Sequence, residues 1–431
     1  MGPAGGPPLK PPVLPLSLSQ REVWRDRAAW PDSAHLMIGG AAFLSGPLDV
    51  ARCGAALELL VQENDGLRLA PLPDGGQRLL SHWVPQLEQV DVPPGIEPRA
   101  AMDDWWRKGL AASFPFDGTP PWRFALLHVG DQLHGLAIQF HHVVMDGWGT
   151  SQVMTRWSEI YNQLDAGLEF VPRAGPSYAQ FIEESNLYAQ SEAFGRDAQF
   201  WHARVPQLPP PLIERRFADG QRHGPARAHM ATCALARAEF DALAQAAAAQ
   251  GLSAFNFFLA ALALYFGRIA GRSRVLVGVP TLNRGGRRFR HTPGMFVGVL
   301  VLDIDVDPQH TAAALLASVS AAMRAALRRP RYPLSELGRA LQLIRTGRDS
   351  LFDVILSFEQ QNFDVHFGAA RLVDSRQLFS GIARYPLGVT VCEFQPDKDL
   401  ELVLEASSDC FTAPEVPLLA QRLWQLARRL A

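Results

Sequence analysis

The stretch from Phe140 to Gly149, FHHVVMDGWG, constrains the fold of this chain more than any other. The mostly apolar run Leu136–Phe140 predicts a buried strand. Two histidines and an apolar triplet follow, and then Asp-Gly, a turn signal. Apolar residues next recur at helical spacing, at Val153, Trp157, Ile160, Tyr161 and Leu164. The stretch therefore joins the end of a strand to the start of a helix, where catalytic side chains are often placed.

The two histidines in this stretch point in different directions if the strand continues through them. Neighbouring residues of a strand face opposite sides, so one of His141 and His142 faces a reaction space and the other the packed body. Asp146 follows three apolar residues, close enough to orient the backbone but badly placed to share a metal with both rings. A hydrogen-bonded core histidine is the alternative. Metal binding is disfavoured because no second cluster of ligands has suitable spacing.

Length and composition limit the classes of protein to which this chain can belong. The length of 431 residues predicts two or three domains, and a composition of 48% hydrophobic and 19% charged residues predicts sizeable cores. The formal net charge of -2 does not favour nucleic-acid binding. The longest strongly apolar helix candidate, Phe255–Phe266, is too short to cross a bilayer, and no signal peptide is evident. Scattered cysteines without a CxxC pair suit a reducing cytoplasm: Cys53, Cys233, Cys392 and Cys410. A soluble cytoplasmic protein is expected.

Both halves of the chain show an α/β pattern. Residues 1–15, rich in Pro and Gly, predict a flexible leader. A strand at Trp122–His128 is expected to pair with Gly135–His141. A Pro- and Gly-containing break then precedes a long helix over Tyr178–Ala203, and Pro333–Ile344 predicts another helix. Periodicity alone thus gives an α/β protein of two domains, divided near residues 176 and 177.

The central stretch resembles a known motif. His141–Gly147 matches the HHxxxDG motif of the condensation domains of nonribosomal peptide synthetases, relatives of chloramphenicol acetyltransferase. Departures from the family patterns are Asn64-Asp65 for His-Glu, Gln180 for Asp and Gly298 for Asn. Five further stretches resemble family elements in the same order: Leu16–Trp24 (S-x-x-Q-x-x-x-W), Glu63–Arg68 (RHExLR), Tyr178–Phe181 (Y-x-D-F), Gly294–Gly298 (G-x-F-V-N) and Arg331–Leu337 (Y-P-x-x-x-L).

The resemblance implies a fold and a reaction. The expected fold is α/β, with two acetyltransferase-like lobes in a V-shaped pseudo-dimer, residues 16–176 and 177–431, and a substrate tunnel at their junction. The family joins a thioester donor to an amine on a phosphopantetheine arm, forming an amide. No tightly bound cofactor and no metal are expected. Such an enzyme aligns two partners, manages one proton and stabilises an oxyanion.

The resemblance also assigns roles to residues around the motif. His142 takes the proton role, either as general base or by holding the amine through a hydrogen bond. Gly147 offers a backbone N–H to the oxyanion; the alternative is that it only forms the turn. Asp146 is structural, in a bidentate ion pair with Arg284. His141 is expected to pack and hydrogen-bond rather than act as a second base. Trp148, Met295 and Gly298 are expected to line the substrate channel, with a packed core position as the alternative for Trp148.

The densest positive cluster is Asn283–His291. Its arginines Arg287, Arg288 and Arg290 either lie on a solvated loop or contact the phosphates of coenzyme A or of a pantetheine arm. Phe289 alone interleaves them, which argues against single-stranded nucleic acid.

Several subtypes and classes remain to be separated. Cyclising relatives carry aspartates in place of the histidines, epimerising relatives show an EGHGR-like element that is absent here, and non-catalytic relatives usually have a degraded motif. The start at Met1, the Trp148–Thr150 sequence and Gly298 favour a starter domain that transfers an acyl group from acyl-CoA to an aminoacyl carrier protein. The alternatives are a chain-elongating domain, a non-catalytic partner-recruiting module, and a free-standing acyltransferase, because His141 and Asp146 also fit an H-x4-D spacing.

The expected partners follow from the starter interpretation. They are a downstream peptidyl carrier protein and adenylation domain of the same synthetase, and acyl-CoA as donor substrate. No nucleic acid and no membrane are expected as partners, and the chain is expected to be a monomer.

Overall fold

The computed structural model describes residues 12–218, 224–307, 309–360, 365–395 and 397–431. Within these ranges the chain forms a mixed α/β structure of two lobes, each with its own large sheet and core, together with a small sheet of three strands. The predicted α/β fold with two lobes is confirmed. Residues 1–11, most of the predicted leader, lie outside the described residues.

Most of the first lobe is built from the first half of the chain. Its helices begin at residues suited to capping: Ser17 and Gln20 form a capping box at α1, and the Asp49 side chain accepts from the backbone of α2. The elements are β1 (Val13–Leu14), α1 (Leu18–Ala29), β2 (Met37–Ser45), α2 (Val50–Glu63), β3 (Leu69–Pro71), β4 (Gln77–Leu79), β5 (Leu87–Asp91), α3 (Pro98–Ala112), β6 (Trp122–His128), β7 (Leu133–His141) and α4 (Gly147–Asp165).

The second half supplies the remaining elements. Helix α8 is apolar nearly all round because it is buried in the core of the second lobe. The elements are α5 (Tyr178–Ala189), α6 (Glu192–Arg204), β8 (Ala226–Leu235), α7 (Arg237–Ala249), α8 (Ala254–Ile269), β9 (Arg274–Thr281), β10 (Gly298–Asp305), α9 (Ala312–Leu327), α10 (Leu334–Ala340), β11 (Val354–Gln360), β12 (His366–Phe367), β13 (Ala370–Leu378), β14 (Ile382–Ala383), β15 (Leu387–Glu393), β16 (Leu400–Ser407) and α11 (Glu415–Leu430).

The sheet of the first lobe contains strands from both halves. In the described part of the chain its order is β12-β13-β2-β7-β6-β5. Strands β6 and β7 pair antiparallel, with Trp122 opposite Phe140, as predicted. Strand β13 comes from the second half and pairs with β2 over nearly its whole length. The proposed division at residues 176 and 177 therefore does not separate the two sheets.

The second lobe has a sheet in the order β10-β9-β11-β15-β16-β8-β14 among the described residues. Strand β11 runs parallel to both β9 and β15, whereas the other pairs are antiparallel. Helices α8, α9 and α11 pack against this sheet. The arrangement leaves one face of β11, β15 and β16 directed toward the first lobe.

A second segment from the second half of the chain also packs in the first lobe. It is the loop of residues 282–297, which joins β9 to β10 and is here called the bridging loop. Its Phe289, Met295 and Phe296 belong to the core of the first lobe, where Phe296 packs 4.3 Å from Phe181, measured between ring centroids. The backbone N–H of Asp146 also donates to Gly294 of this loop. The bridging loop thus fastens the two lobes beside the central motif.

Three local predictions differ from the structure. Val13 and Leu14 of the predicted leader pair with β4. The predicted Tyr178–Ala203 helix is two helices, because Ser191 caps the N-terminus of the second, accepting from the Phe194 N–H. The predicted Pro333–Ile344 helix ends at Ala340, and Gln342, with φ 51°, separates it from a short 3₁₀ turn.

Candidate active site

The HHVVMDG residues form a strand end, a tight turn and a helix start. Strand β7 ends at His141, and the backbone N–H of His142 donates to Leu36. Asp146 is the N-cap of α4, accepting 2.7 Å from the N–H of Gly149 with its side chain. A Cβ at Gly149 would lie 2.5 Å from the sulfur of Met145, which explains the glycine there. Short-range contacts therefore fix the conformation of this turn.

The structure places the two histidines in different environments. His142 lines a large cavity between the lobes. His141, in contrast, is only 4% exposed and lies in the interior of the first lobe. The His141 ring packs edge-on against Phe116 at 4.8 Å, and its Nδ1 accepts from the N–H of Val143. Burial holds the pKa of His141 well below its usual value. His141 therefore remains neutral and packed at ordinary pH.

The His142 imidazole has a defined tautomer. Its Nδ1 lies 2.8 Å from the carbonyl oxygen of Met145. Since a carbonyl oxygen only accepts, Nδ1 carries the proton and Nε2 is left as an unprotonated acceptor. Burial lowers the pKa of His142, although the nearby Asp146 carboxylate opposes this effect. A neutral base is thus held at the cavity wall.

Titration of His142 provides a first test. In protein labelled with ¹³C-histidine, we expect an NMR midpoint below the usual imidazole pKa of about 6.5, because burial penalises the charged ring. The ring stays neutral at pH 7 and gains its proton only as the pH falls through that lower midpoint. Comparison with His142→Gln assigns the signal. A midpoint at or above that of free histidine would contradict the proposed neutral base.

Asp146 is fully buried and its carboxylate is fully occupied. Oδ1 accepts from Gly149 and, at 2.6 Å, from Nη2 of Arg284. Oδ2 accepts from the backbone N–H groups of Phe296 and Val297 at 2.9 and 3.2 Å. The carboxylate therefore ties the motif turn to the bridging loop.

The predicted partner of Asp146 is present, but the predicted bidentate geometry is wrong. Only Nη2 of Arg284 reaches Asp146, because Nη1 donates to the carbonyl oxygens of Thr292, at 2.7 Å, and Phe289. The guanidinium also lies 4.1 Å from the ring centroid of Phe296. Arg284 thus holds the shape of the bridging loop as well as the ion pair.

The interlobe cavity has a volume of about 1730 Å³. Its walls come from both lobes, with α1 on one side and strands β11, β15 and β16 on the other. The sequence-predicted residues in these walls are His142, Gly147, Trp148, Met295 and Gly298. Gly147 is the first residue of α4, so the positive end of the helix dipole faces the reaction space beside His142.

The three predicted phosphate-binding arginines do not line the interlobe cavity. All are exposed on the bridging loop. Arg288 forms an ion pair with Glu184. Arg290 lies 5.8 Å from the ring centroid of Trp148, and its carbonyl oxygen accepts from the indole N–H. Of the three, Arg290 is therefore directly connected to a residue of the cavity wall.

Two carboxyl groups in the cavity wall were missed from the sequence. Burial raises the pKa of Glu405 to about 7, and burial together with the Asp146 charge does the same for Glu359. The sequence predicts strands over Phe352–Phe358 and Leu400–Glu405, so Glu359 directly follows one strand and Glu405 ends the other. A carboxylate at the end of a predicted strand was the signal that could have found them.

The described residues contain neither a metal-binding cluster nor a single membrane-spanning helix. No group of three or more His, Cys, Asp or Glu residues suited to a metal occurs in the described ranges. No single described helix has the length and hydropathy to cross a bilayer; α7 and α8 meet those criteria together but are bent by 95°.

Comparisons with known proteins identify relatives over nearly the whole chain. A family model described as "Condensation domain" matches residues 11–431. The isonitrile lipopeptide synthase of Streptomyces coeruleorubidus is 24% identical over 425 residues, which are 96% of this chain and 28% of that protein. A dimodular nonribosomal peptide synthase of Bacillus subtilis is 24% identical over 419 residues, or 95% of this chain and 17% of that protein. The chain therefore spans less than a third of these curated relatives.

Two solved structures share the fold. The first condensation domain of the calcium-dependent antibiotic synthetase, in complex with a substrate analogue, has a TM-score of 0.84 at 23% identity, covering 97% of this chain and 96% of that one. The starter condensation domain of rhizomide synthetase, a mutant in complex with C8-CoA and Leu-SNAC, has a TM-score of 0.84 at 25% identity, covering 97% and 94%. The chain belongs to the condensation domain family of nonribosomal peptide synthetases, which are amide-forming acyltransferases.

Proposed function

We propose that this chain is a starter condensation domain, which transfers an acyl group from acyl-CoA to the amino group of an aminoacyl thioester on a peptidyl carrier protein. The observation that carries the proposal is His142, held neutral with Nε2 free of a proton at the wall of the interlobe cavity. A cavity of about 1730 Å³ exceeds the roughly 300–1,000 Å³ of a site for one small molecule. Two substrates therefore have room to meet there.

The proposed reaction uses few groups of the protein. The acceptor nitrogen attacks the thioester carbonyl, the C–N bond forms, and the C–S bond breaks. Nε2 of His142 accepts a hydrogen bond from the amine, and as general base it would pass the amine proton to the leaving thiolate. Gly147, at the N-terminus of α4, would place its backbone beside the developing oxyanion.

The remaining site residues have supporting roles in this proposal. Asp146 and Arg284 hold the motif turn against the bridging loop, and His141 packs behind the reaction space. Trp148, Met295 and Gly298 form part of the channel wall. We propose that Arg290 binds the phosphates of coenzyme A, because Arg290 contacts Trp148 and Trp148 lines the cavity. Arg287 is a second candidate, whereas Arg288 is already paired with Glu184.

The starter subtype is supported by the rhizomide starter domain, whose crystal structure contains C8-CoA and Leu-SNAC. The carrier protein and adenylation domain expected as partners are proposed by analogy with the synthetases that match this chain over part of their length.

A donor comparison tests the subtype. The protein is incubated with Leu-SNAC or a leucyl carrier protein and with C8-CoA or the same octanoyl group on a carrier protein, and products are read by mass spectrometry. We expect octanoyl-leucyl product from C8-CoA without a donor carrier. Product from the carrier-bound donor alone would overturn the starter subtype in favour of a chain-elongating domain. No product from either donor would instead favour a non-catalytic module.

A further inference from the structure

The second lobe presents an unusual sheet face to the interlobe cavity. Because side chains alternate along a strand, every second residue of β11, β15 and β16 faces the same side. Ile355, Gly388 and Glu405 are paired across the three strands in one row, and Ser357, Thr390 and Val403 form the next row. All six line the cavity, as does Glu359 one step further along β11. We call Ser357, Glu359, Thr390 and Glu405 the acidic face.

Glu405 is the least explained member of the acidic face. Its carboxyl group makes no hydrogen bond or ion pair with the described residues, and burial alone raises the pKa of this group to about 7. Other cavity acids are engaged: Glu22 accepts from Ser335, and Asp26 pairs with Arg384 at 2.7 Å and with His35. Removing a carboxyl from bulk water without a partner is costly, so Glu405 does not serve the stability of the lobe.

The space beside Glu405 is open toward the cavity. Its neighbour across the sheet is Gly388, where a Cβ would make ordinary van der Waals contact with the Glu405 Cβ at 3.6 Å and with Ile355 at 3.9 Å. Glycine therefore leaves the flank of the carboxyl uncovered. Thr390 and Ser357 continue a polar path from this point toward Glu359, which lies one step further along β11 and also lines the cavity.

We propose that Glu405 is a specificity-determining residue, and that the acidic face selects an acceptor amino acid whose side chain carries a guanidinium or an amine. The inference rests on the proposed function, in which the donor contributes a hydrocarbon chain and the acceptor a side chain. A hydrocarbon chain gains nothing from a carboxyl group, and an anionic side chain is repelled by Glu359 and Glu405. A cation supplies the missing partner and gains from the low dielectric of the wall.

The test compares two acceptors of equal shape. Arginyl-SNAC and citrullinyl-SNAC differ in the charge of the side-chain terminus, and C8-CoA or octanoyl carrier protein serves as donor. For the wild-type protein, kcat/KM for arginyl-SNAC is expected to exceed that for citrullinyl-SNAC by about 10- to 100-fold, as for a hydrogen bond to a charged group. Glu405→Gln is expected to bring this ratio within about threefold of unity.

The matched control is Glu58→Gln, which changes an exposed residue of α2 outside the cavity wall and should keep the wild-type ratio. Thermal unfolding of Glu405→Gln checks that the variant is folded. Equal rates for the two acceptors in a wild-type protein that acylates Leu-SNAC would overturn the inference and leave the proposed function standing. Absence of product from every acceptor and both donors would overturn both.

Discussion

Replacing His142 with alanine is expected to lower the rate of amide formation by about 10²–10⁴-fold, the usual contribution of a positioned general base. The substitution removes Nε2 from the cavity wall, so the attacking amine loses its proton acceptor. The hydrogen bond to Met145 is also lost, but it belongs to a turn that Asp146 holds independently. The measurement is the initial rate with C8-CoA and Leu-SNAC, followed by mass spectrometry.

The control for this variant is His82→Ala, which removes an exposed imidazole of the first lobe remote from the cavity and is expected to keep the wild-type rate. Circular dichroism and thermal unfolding verify that His142→Ala is folded. A folded His142→Ala protein that retains most of the wild-type rate would show that positioning of the substrates, rather than His142, carries the reaction.

The second large effect is expected on the free energy of unfolding, when the buried Asp146 carboxylate is removed. Asp146→Ala is expected to lower the free energy of unfolding by about 3–5 kcal/mol, the usual cost of removing one partner of a buried ion pair. The Arg284 guanidinium would stay buried without its carboxylate, and the N–H groups of Gly149, Phe296 and Val297 would lose their acceptor. Urea denaturation, monitored by tryptophan fluorescence, gives the change.

An exposed ion pair serves as the comparison. Asp165, 41% exposed in its side chain, contacts Arg52 at 2.6 Å, and Asp165→Ala is expected to cost no more than about 1 kcal/mol. Asp146→Asn keeps the shape of the side chain but places an amide donor against N–H groups, so it should also be strongly destabilising. A loss for Asp146→Ala as small as that for Asp165→Ala would show that the bridging loop does not depend on this carboxylate.

Local signals in the sequence predicted the motif region well. The apolar run before His141 and the helical spacing after Gly149 depend on neighbours within one turn or one hairpin, and the structure has strand β7, its β6 partner and helix α4 where these patterns predict them. The Asp146–Arg284 contact came from the family resemblance rather than from any local pattern. Its single rather than double hydrogen bond depends on carbonyl groups of the bridging loop, which no local pattern reveals.

Features that depend on distant pairing were not predictable in this way. Strand β13 pairs with β2 although more than half of the chain separates them in sequence. The residues of β13 alone do not identify β2 as its partner. The acidic face likewise requires knowing that Ile355, Gly388 and Glu405 share one row. The break between α5 and α6 was missed, although Ser191 is a residue type suited to capping the second helix.

The late arrival of β13 has a consequence for synthesis on the ribosome. One edge of β2 pairs with β7, but its other edge stays unpaired until Leu378 emerges, about 330 residues after Ser45, which takes roughly 17 to 67 s at about 5–20 residues per second. An apolar strand edge left open for so long invites pairing with other nascent chains. A ribosome-associated chaperone would protect this edge during that interval, and truncation before residue 370 should yield aggregates rather than a free first lobe.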